Sequence, residues 1–288
     1  MLATIRHSPR LFSPAKAFLS PTTRSLCRAA VSTSSSSTPP VNMGENTNKE
    51  YLSRAHVAPE VFALRPDYRA LLVIVDGLPS GPSTALSEQL LQDAEAHVRS
   101  QLAQHGGVVT ELPHIAAWRA AFKAFGAKPA KFRSSVEALT RRVGVDEADG
   151  KATGGLPRVN LLTDIYNAIS IKHQLPFGGE DLDKYKGFPR CIRAKGDERF
   201  EASAGAVESP EPGEVVWCDD EGVTCRRWNW RQGPRTALTD DTKKALFIID
   251  ALDPVTDEEL DATAEELKAV MKQLNPDVVV ESRLVKKE

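Results

Sequence analysis

The sequence predicts an α+β fold in which helices come early and strands fill the second half of the chain. The first observation is a series of helical patterns before residue 176, with apolar residues recurring every three or four positions. The second is a change beyond Pro176, where short apolar runs are bounded by turn residues. The third is a composition of 288 residues, 41% of them hydrophobic, which is typical of a globular protein.

The first half begins with an irregular lead-in over 45–66. A buried strand is predicted over 70–75, because an unbroken apolar run there ends at an Asp-Gly turn signal. Apolar residues at a spacing of four then predict a helix over 86–102, which ends at a pair of glycines. A short strand is expected over 108–112, followed by a second helix over 113–125.

A third helix is predicted from Ser134 to about Val143. Ser134 and Glu137 have the S-x-x-E spacing of a capping box, in which each side chain satisfies the other residue's backbone N–H. An acidic, glycine-rich loop over 145–155 separates it from a fourth helix over 161–171.

The second half is expected to contain the remaining strands. They are predicted over 190–194, 214–218, 223–228, 245–249 and 278–285. The four residues 219–222 form a hairpin turn, and Thr256 with Glu259 starts a last helix that runs to Leu274.

Several classes of site are not supported by the motifs. The four cysteines contain no C-x-x-C pair, and no two histidines lie three or four residues apart on a helix, so we expect no metal. Phosphate-loop and dinucleotide glycine motifs are missing, so we expect no cofactor. No apolar run approaches the roughly 18 residues that span a bilayer, so no membrane association is expected.

The first 44 residues differ in composition from the rest of the chain. They contain five basic residues and no acidic residue, and they are rich in Ser and Thr. This composition is typical of a mitochondrial transit peptide, and a disordered tail is the alternative interpretation. A start at Met43 would give a cytosolic form. The rest carries 32 basic against 39 acidic residues, so binding of nucleic acid would need a local patch.

One local patch stands out in the segment 118–142, which has seven basic residues and one acid, Glu137. Such a patch can hold phosphate groups through charge attraction and counterion release. A solvated helix surface is the alternative interpretation. The residues expected to contact tRNA phosphates are Arg119, Lys123, Lys128, Lys131 and Arg133.

Two polar stretches, 160–183 and 225–231, interrupt otherwise apolar surroundings. Burying polar groups is costly unless they are paired or used, so these stretches are where we expect a ligand site. Strand alternation over 223–228, continued past its end, predicts Trp228 and Trp230 on one face and Arg227, Asn229 and Arg231 on the other. The alternative is structural: tryptophans that fill the core, and Asp or Asn side chains that bond to nearby backbone.

The motifs of these stretches and of the segment between them are distinctive. They read N-x-x-x-D-I-x-N-x-x-S from Asn160, L-P-x-G-G-x-D-L-D from Leu175, G-x-x-R-x-x-x-A from Gly187, G-E-x-V from Gly213 and R-x-W-N-W-R from Arg226. Together they resemble the B3/B4 domain of the phenylalanyl-tRNA synthetase β subunit, in its free-standing version. The resemblance covers 115–250, and no aminoacylating core fits in the chain.

The resemblance implies a single B3/B4-type domain over 67–288, with a β-sandwich-like core flanked by helices. In the synthetase this domain removes tyrosine wrongly attached to phenylalanine tRNA, which implies that the aminoacyl end of a tRNA is the partner here. The residues implied to bind substrate are Asn160, Asp164, Asn167, Gly178, Gly179, Arg193, Trp230 and Arg231. The catalytic candidates are Glu180, Asp181 and Thr236.

One departure bears on catalysis. Bacterial versions often read P-x-H-x-F-D where this chain reads P-F-G-G-E-D, so Gly178 stands at the position of the histidine associated with editing. The sequence therefore leaves three functions open. They are aminoacyl-tRNA recognition with hydrolysis of mischarged tRNA, a non-catalytic module that binds tRNA or an amino-acid-like metabolite, and a small-molecule hydrolase.

Overall fold

A four-stranded antiparallel sheet forms the centre of the computed structural model, which describes residues 47–144, 155–203 and 205–288. Its order is β11-β2-β10-β3. The strands are β2 (Arg69–Asp76), β3 (Phe177–Asp181), β10 (Lys244–Ala251) and β11 (Val279–Lys286). The inner strands β2 and β10 are buried along nearly their whole length, because other elements cover both faces of the sheet.

A second sheet lies across one face of this central sheet. Its order is β1-β4-β7-β8-β5-β6, with β9 paired to β8. The strands are β1 (His56–Val57), β4 (Arg190–Arg193), β5 (Phe200–Ser203), β6 (Ala206–Glu208), β7 (Val215–Cys218), β8 (Val223–Arg226) and β9 (Arg231–Gln232). Most pairs are antiparallel, and β1–β4 and β5–β8 are parallel.

Seven helices are found in the described residues. They are α1 (Thr47–Arg54), α2 (Pro59–Leu64), α3 (Ala85–Gln104), α4 (Pro113–Ala124), α5 (Ser135–Val143), α6 (Leu161–His173) and α7 (Asp257–Leu274). The capping box predicted at Thr256 and Glu259 starts α7. Ser134 caps α5 as predicted, but the Glu137 side chain is held elsewhere, by Arg119 and Arg141.

Two apolar clusters hold the layers together. Between the sheets, Leu72 and Ile248 pack with Trp217, Trp118 and Trp228. On the opposite face of the central sheet, side chains such as those of Phe247 and Ile249 pack against α6 and α7. Each fully buried side chain of this kind contributes about 1.5–3 kcal/mol through loss of water-exposed apolar surface. The α+β prediction, with a sandwich-like pair of sheets flanked by helices, is confirmed.

Two predicted segments are wrong in detail. The lead-in over 45–66 is not irregular: it forms α1, β1 and α2, and it buries Leu52 and Val61 in the cluster between the sheets. The segment 108–112 is not a strand but a 3-10 turn over Val109–Glu111. Its backbone bonds are local, from Glu111 N–H to the Val108 carbonyl, and they lead directly into α4.

Two further predictions concern residues outside the described ranges. They are the leader over 1–44 and all but the last residue of the acidic loop over 145–155. Mitochondrial import therefore stays a prediction from composition. Among the described residues, no helix combines the length and the apolarity that crossing a bilayer requires.

Neighbouring glycines of β3 provide a test of the packing. A Cβ at Gly179 would lie 2.6 Å from Leu238 Cδ1 and 3.1 Å from Phe247 Cε1, whereas a Cβ at Gly178 would meet no atom within 4 Å. We expect Gly179→Ala to destabilise the protein by about 1–3 kcal/mol through overpacking. Gly178→Ala, the matched control, should leave urea unfolding almost unchanged. Equal effects of the two variants would contradict this packing.

Candidate functional site

A cleft of about 220 Å³ lies where α5, α6, β3 and the segment between β8 and β9 come together. Five aromatic side chains, from Tyr166, Phe177, Trp217, Trp228 and Trp230, form much of its lining. The polar part consists of Ser135, Arg142, Asn167, Asn229, Gln232 and Asp250, with the Cys225 thiol. Apolar cavities of roughly 150 Å³ hold a benzene ring, so this cleft accommodates one aromatic ring and a few more atoms.

A strained turn brings the second polar stretch to the cleft. β8 ends at Arg226, and Arg227 and Trp228 then have φ angles of 46° and 67°, in the left-handed region. Such a conformation costs about 1–3 kcal/mol for each non-glycine residue, so the surroundings must hold it. The Trp228 N–H donates to the Val215 carbonyl at 2.6 Å, and the Arg227 N–H donates to Glu214 Oε1 at 3.0 Å.

This turn corrects the predicted alternation. Trp228 and Trp230 do not share a strand face, because the extended backbone ends before them. Trp228 is fully buried between the sheets, while Trp230 is partly buried and packs on Phe132 with ring centroids 4.9 Å apart. Asn229, between them, links the turn to α5, since its carbonyl accepts the Ser135 N–H at 2.9 Å.

A buried acid, Asp250, forms one wall of the cleft. Its carboxylate accepts hydrogen bonds from the Tyr68 hydroxyl at 2.6 Å and from Asn229 Nδ2 at 3.1 Å. Burial disfavours the ionised form and raises the pKa of Asp250 to about 6. The Trp217 indole also bonds to this carboxylate. A carboxylate has about four acceptor positions, so these three bonds leave Asp250 able to accept one from a ligand.

A second buried acid, Glu180, lies beside the cleft. Glu180 shares a face of β3 with Gly178 and accepts a bond of 2.8 Å from Gln232, which does line the cleft. Burial raises the pKa of Glu180 to about 8, although its hydrogen bond from Gln232 acts in the opposite direction. At neutral pH this carboxyl therefore holds its proton.

Several lining residues have unmet hydrogen-bonding capacity. Within the described part of the chain, the Ser135 hydroxyl and the Asn229 side-chain oxygen are buried without a partner, whereas the indoles of Trp217 and Trp228 interact with Asp250 and Tyr68. Buried polar atoms are normally paired, so groups of this kind are the ones that a small shift or a bound ligand would satisfy.

Three of the residues predicted to bind substrate line the cleft: Asn167, Gly178 and Trp230. Gly178 lies opposite Ile248 in the sheet and presents no side chain, so the open space above it belongs to the cleft. These three residues come from α6, β3 and the strained turn, and the fold brings both polar stretches to one place.

Asn160 and Asp164 instead stabilise the start of α6. The Asn160 side chain caps the helix by accepting the Thr163 N–H at 2.8 Å, and its amide donates to the Leu238 carbonyl. Asp164 is fully buried and accepts the Val159 N–H and the Ser83 hydroxyl. Neither residue is part of the cleft lining.

The other predicted residues also lie outside the lining. Arg193 donates to the Gly213 carbonyl just before β7, and Arg231 donates to the Ala202 carbonyl of β5. Gly179 and Asp181 point to the opposite face of β3, where Asp181 accepts the Thr242 hydroxyl at 2.8 Å. Thr236 is fully buried. Alternation along β3 is the physical reason that adjacent candidates are separated by the sheet.

The basic segment divides into two groups. Lys123, Lys128 and Lys131 are exposed, and none has an ion pair of 4.0 Å or less with a described residue. Arg119, by contrast, donates to Glu137 at 2.6 Å and is about a quarter exposed, and Arg133 lies 3.9 Å from the same carboxylate. Phe132, between Lys131 and Arg133, packs on Trp230, so this segment borders the cleft.

The cleft also contains residues that the sequence patterns did not predict as ligand-binding, among them Asp250, Asn229, Tyr166, Trp217 and Gln232. The available signal for Asp250 was a single carboxylate directly after the apolar run 245–249, at the end of a buried strand. No group of three or more His, Cys, Asp or Glu side chains in the described ranges is arranged to hold a metal ion.

Comparison with known proteins gives one family match. A family model described as the B3/4 domain matches residues 117–282, more than half of the chain. Among solved structures, the chain is similar to an N-terminal fragment of the phenylalanyl-tRNA synthetase beta-subunit from Pyrococcus horikoshii, with 12% identity and a TM-score of 0.38. That alignment covers 80% of this chain and 50% of the fragment, so the chain spans half of the fragment's length. No curated protein matches.

The protonation of Glu180 predicts how stability depends on pH. Since the pKa of the folded state lies above the ordinary value of 4.5, Glu180 contributes most to stability below pH 4.5. That contribution is lost as the pH rises to about 8. Glu180→Gln should therefore gain stability relative to the wild type across this range, by on the order of 5 kcal/mol. Urea unfolding at pH 5 and pH 8.5 measures the difference, and a constant difference would contradict it.

Proposed function

The chain belongs to the B3/4 domain family, and from that premise we propose that it binds the aminoacyl end of a tRNA. The observation that carries the proposal is an aromatic cleft with a buried acid that directly borders an exposed basic segment. The cleft takes the amino-acid group, and the basic segment takes phosphates of the RNA strand.

The chemistry of the cleft suits an amino-acid group. Aromatic walls contribute apolar contact, and a single aromatic or branched side chain matches the volume of about 220 Å³. Asp250, with an unused acceptor position, can accept from a donor such as an α-ammonium or a hydroxyl group. A ligand that donates a hydrogen bond to this buried acid would bind more tightly than an analogue that lacks the donor.

The basic segment suits the polynucleotide. Lys128 and Lys131 are exposed beside Phe132, which touches Trp230, and Lys123 is exposed on α4. Exposed lysines attract phosphates through their charge and release counterions on binding. The chain outside the first 44 residues has a net negative charge, so this local patch supplies the attraction.

Hydrolysis of the aminoacyl ester is a second candidate function, favoured by Asp250. With a pKa of about 6, this carboxylate is ionised at neutral pH and lies in the cleft wall, where it could act as a general base on a water molecule. Glu180 is less suited to that role, because it holds its proton at pH 7 and does not line the cleft. Asp250 thus replaces Glu180, Asp181 and Thr236 as the catalytic candidate.

The proposal is tested by comparing aminoacylated with deacylated tRNA, using a non-hydrolysable amide at the 3′ end. We expect at least one aminoacyl group to strengthen binding about tenfold, which corresponds to about 1.4 kcal/mol. Gly178→Val should abolish that gain, because its side chain fills the cleft from a position with no atom within 4 Å of the added Cβ. Gly178→Ala, with a smaller side chain, is the matched control.

The same tRNAs, carrying natural ester linkages, separate binding from hydrolysis. If the wild type releases the amino acid and Asp250→Asn does not, the second candidate function is supported. Tight binding without release would support recognition alone. If no aminoacyl group strengthens binding over the deacylated tRNA, the proposed function is wrong.

The lysines of the basic segment give a further prediction. The double variant Lys128→Gln, Lys131→Gln should weaken tRNA binding and reduce the slope of log affinity against log salt by about 1.4, since each single-strand phosphate contact contributes about 0.7. Lys195→Gln with Lys287→Gln, two exposed lysines outside the segment, is the control. A slope equal to that of the wild type would show that Lys128 and Lys131 make no phosphate contact.

A further inference from the structure

Three arginine side chains converge on one buried carboxylate, that of Glu137 in α5. The same oxygen, Oε1, lies 2.6 Å from Arg119 Nη1, 3.1 Å from Arg141 Nε and 3.9 Å from Arg133 Nε. Glu137 has no exposed surface, while the arginine side chains are 24%, 26% and 45% exposed in the order Arg119, Arg141, Arg133. The carboxylate thus lies beneath a cluster of cations that faces solvent.

The charges in this cluster do not balance within the group. Glu137 provides one negative charge for the two guanidinium groups of Arg119 and Arg133. Among the described residues, no other carboxylate lies within 4.0 Å of Arg119 or Arg133. Like charges held this close repel one another, and an anion that binds between them relieves the repulsion.

The spacing of the cations suits a phosphate group. Arg119 Nη1 and Arg133 Nε contact the same oxygen, so they are at most about 6.5 Å apart. A phosphate has several acceptor oxygens and can bridge two guanidinium groups at such a separation with charge-assisted hydrogen bonds. Guanidinium groups are the cations best suited to bind phosphate in this way, because their N–H donors form a planar fork.

The cluster has a defined position relative to the cleft. Residues 133, 137 and 141 recur at a spacing of four and lie along one side of α5 and its leading turn, whereas Ser135, Ala138 and Leu139 of the same helix line the cleft. The two sides lie on opposite sides of α5, which is about 10–12 Å across with its side chains, so a chain that runs from the cleft to the cluster passes around the helix. An RNA strand whose end lies in the cleft can place the phosphate of a preceding nucleotide at the cluster.

We propose that Arg119 and Arg133, held in place by Glu137, form a phosphate-binding site for the RNA strand whose end carries the amino-acid group. Glu137 is a positioning residue, because it orients the arginines and does not touch the phosphate. Binding of a phosphate at this site does not require the proposed function. Its assignment to a phosphate of the tRNA strand rests on that function.

The test uses the full chain with adenosine 5′-monophosphate, adenosine and inorganic phosphate as probes, followed by NMR or calorimetric titration. We expect the monophosphate to bind at least tenfold more tightly than adenosine, and inorganic phosphate to compete with it. Arg133→Gln should weaken binding of the monophosphate about tenfold. Since Arg119 and Arg141 stay on Glu137 in this variant, its unfolding midpoint should be close to that of the wild type.

Arg99→Gln is the matched control, since Arg99 is 47% exposed and lies 3.6 Å from Glu95 at the same i,i+4 spacing as Arg133 and Glu137. This variant should bind the monophosphate like the wild type. Equal affinity for adenosine and its monophosphate, or equal losses in the Arg133 and Arg99 variants, would overturn the phosphate site.

The tRNA titration distinguishes the two proposals. If Arg133→Gln loses binding of the monophosphate while the wild type does not favour aminoacylated tRNA, the site holds phosphate and the proposed function is wrong. If the wild type favours aminoacylated tRNA but Arg133→Gln changes neither binding of the monophosphate nor the salt slope, the phosphate site is wrong and the proposed function stands.

Discussion

The contacts of Glu214 with Arg226 and the following backbone are the interaction on which the cleft depends. Glu214 is 2% exposed and accepts two bonds from the Arg226 guanidinium, at 2.9 and 2.8 Å, and a third from the Arg227 N–H. Removing one partner of such a buried pair leaves an uncompensated charge, which costs about 3–5 kcal/mol. That energy is comparable with the cost of the two left-handed residues that follow β8, so the pair can hold the turn in its strained form.

The turn that follows β8 contacts the central sheet, the second sheet and α5. Trp228 enters the cluster between the sheets and packs edge-on against Tyr68 and Trp118, with ring centroids 4.8 and 5.2 Å away. Asn229 bonds to α5 through its carbonyl and to Asp250 of the central sheet through its amide. One short segment thereby fixes a helix, a sheet and the acid of the cleft relative to one another, so the shape of the cleft follows from its conformation.

The helices and strands could be predicted from the sequence more accurately than the cleft, because each follows a periodic pattern of apolar residues. The strands over 70–75 and 245–249 and the helices from Leu86 and Thr256 have patterns that depend on local residues alone. The cleft instead joins residues that are far apart, such as Ser135 and Asp250, and no local pattern encodes such a pairing. Asn160 and Asp164 were expected at the ligand because polar residues beside apolar runs need partners. The structure shows that backbone N–H groups and a serine hydroxyl are those partners, as the alternative interpretation held.

The position of Gly178 favours the proposed recognition of an aminoacyl group over the proposed hydrolysis. Gly178 lies on the face of β3 that points toward the second sheet, so any side chain there would project into the cleft. A histidine at this position would place a group that titrates near neutral pH against the ligand, at the expense of volume. Glycine keeps that volume open and leaves Asp250 as the acid of the wall, alongside the charged side chain of Arg142. Because Asp250 is already oriented by Tyr68 and Asn229, it is better placed to accept a hydrogen bond from a bound donor than to move toward a water molecule.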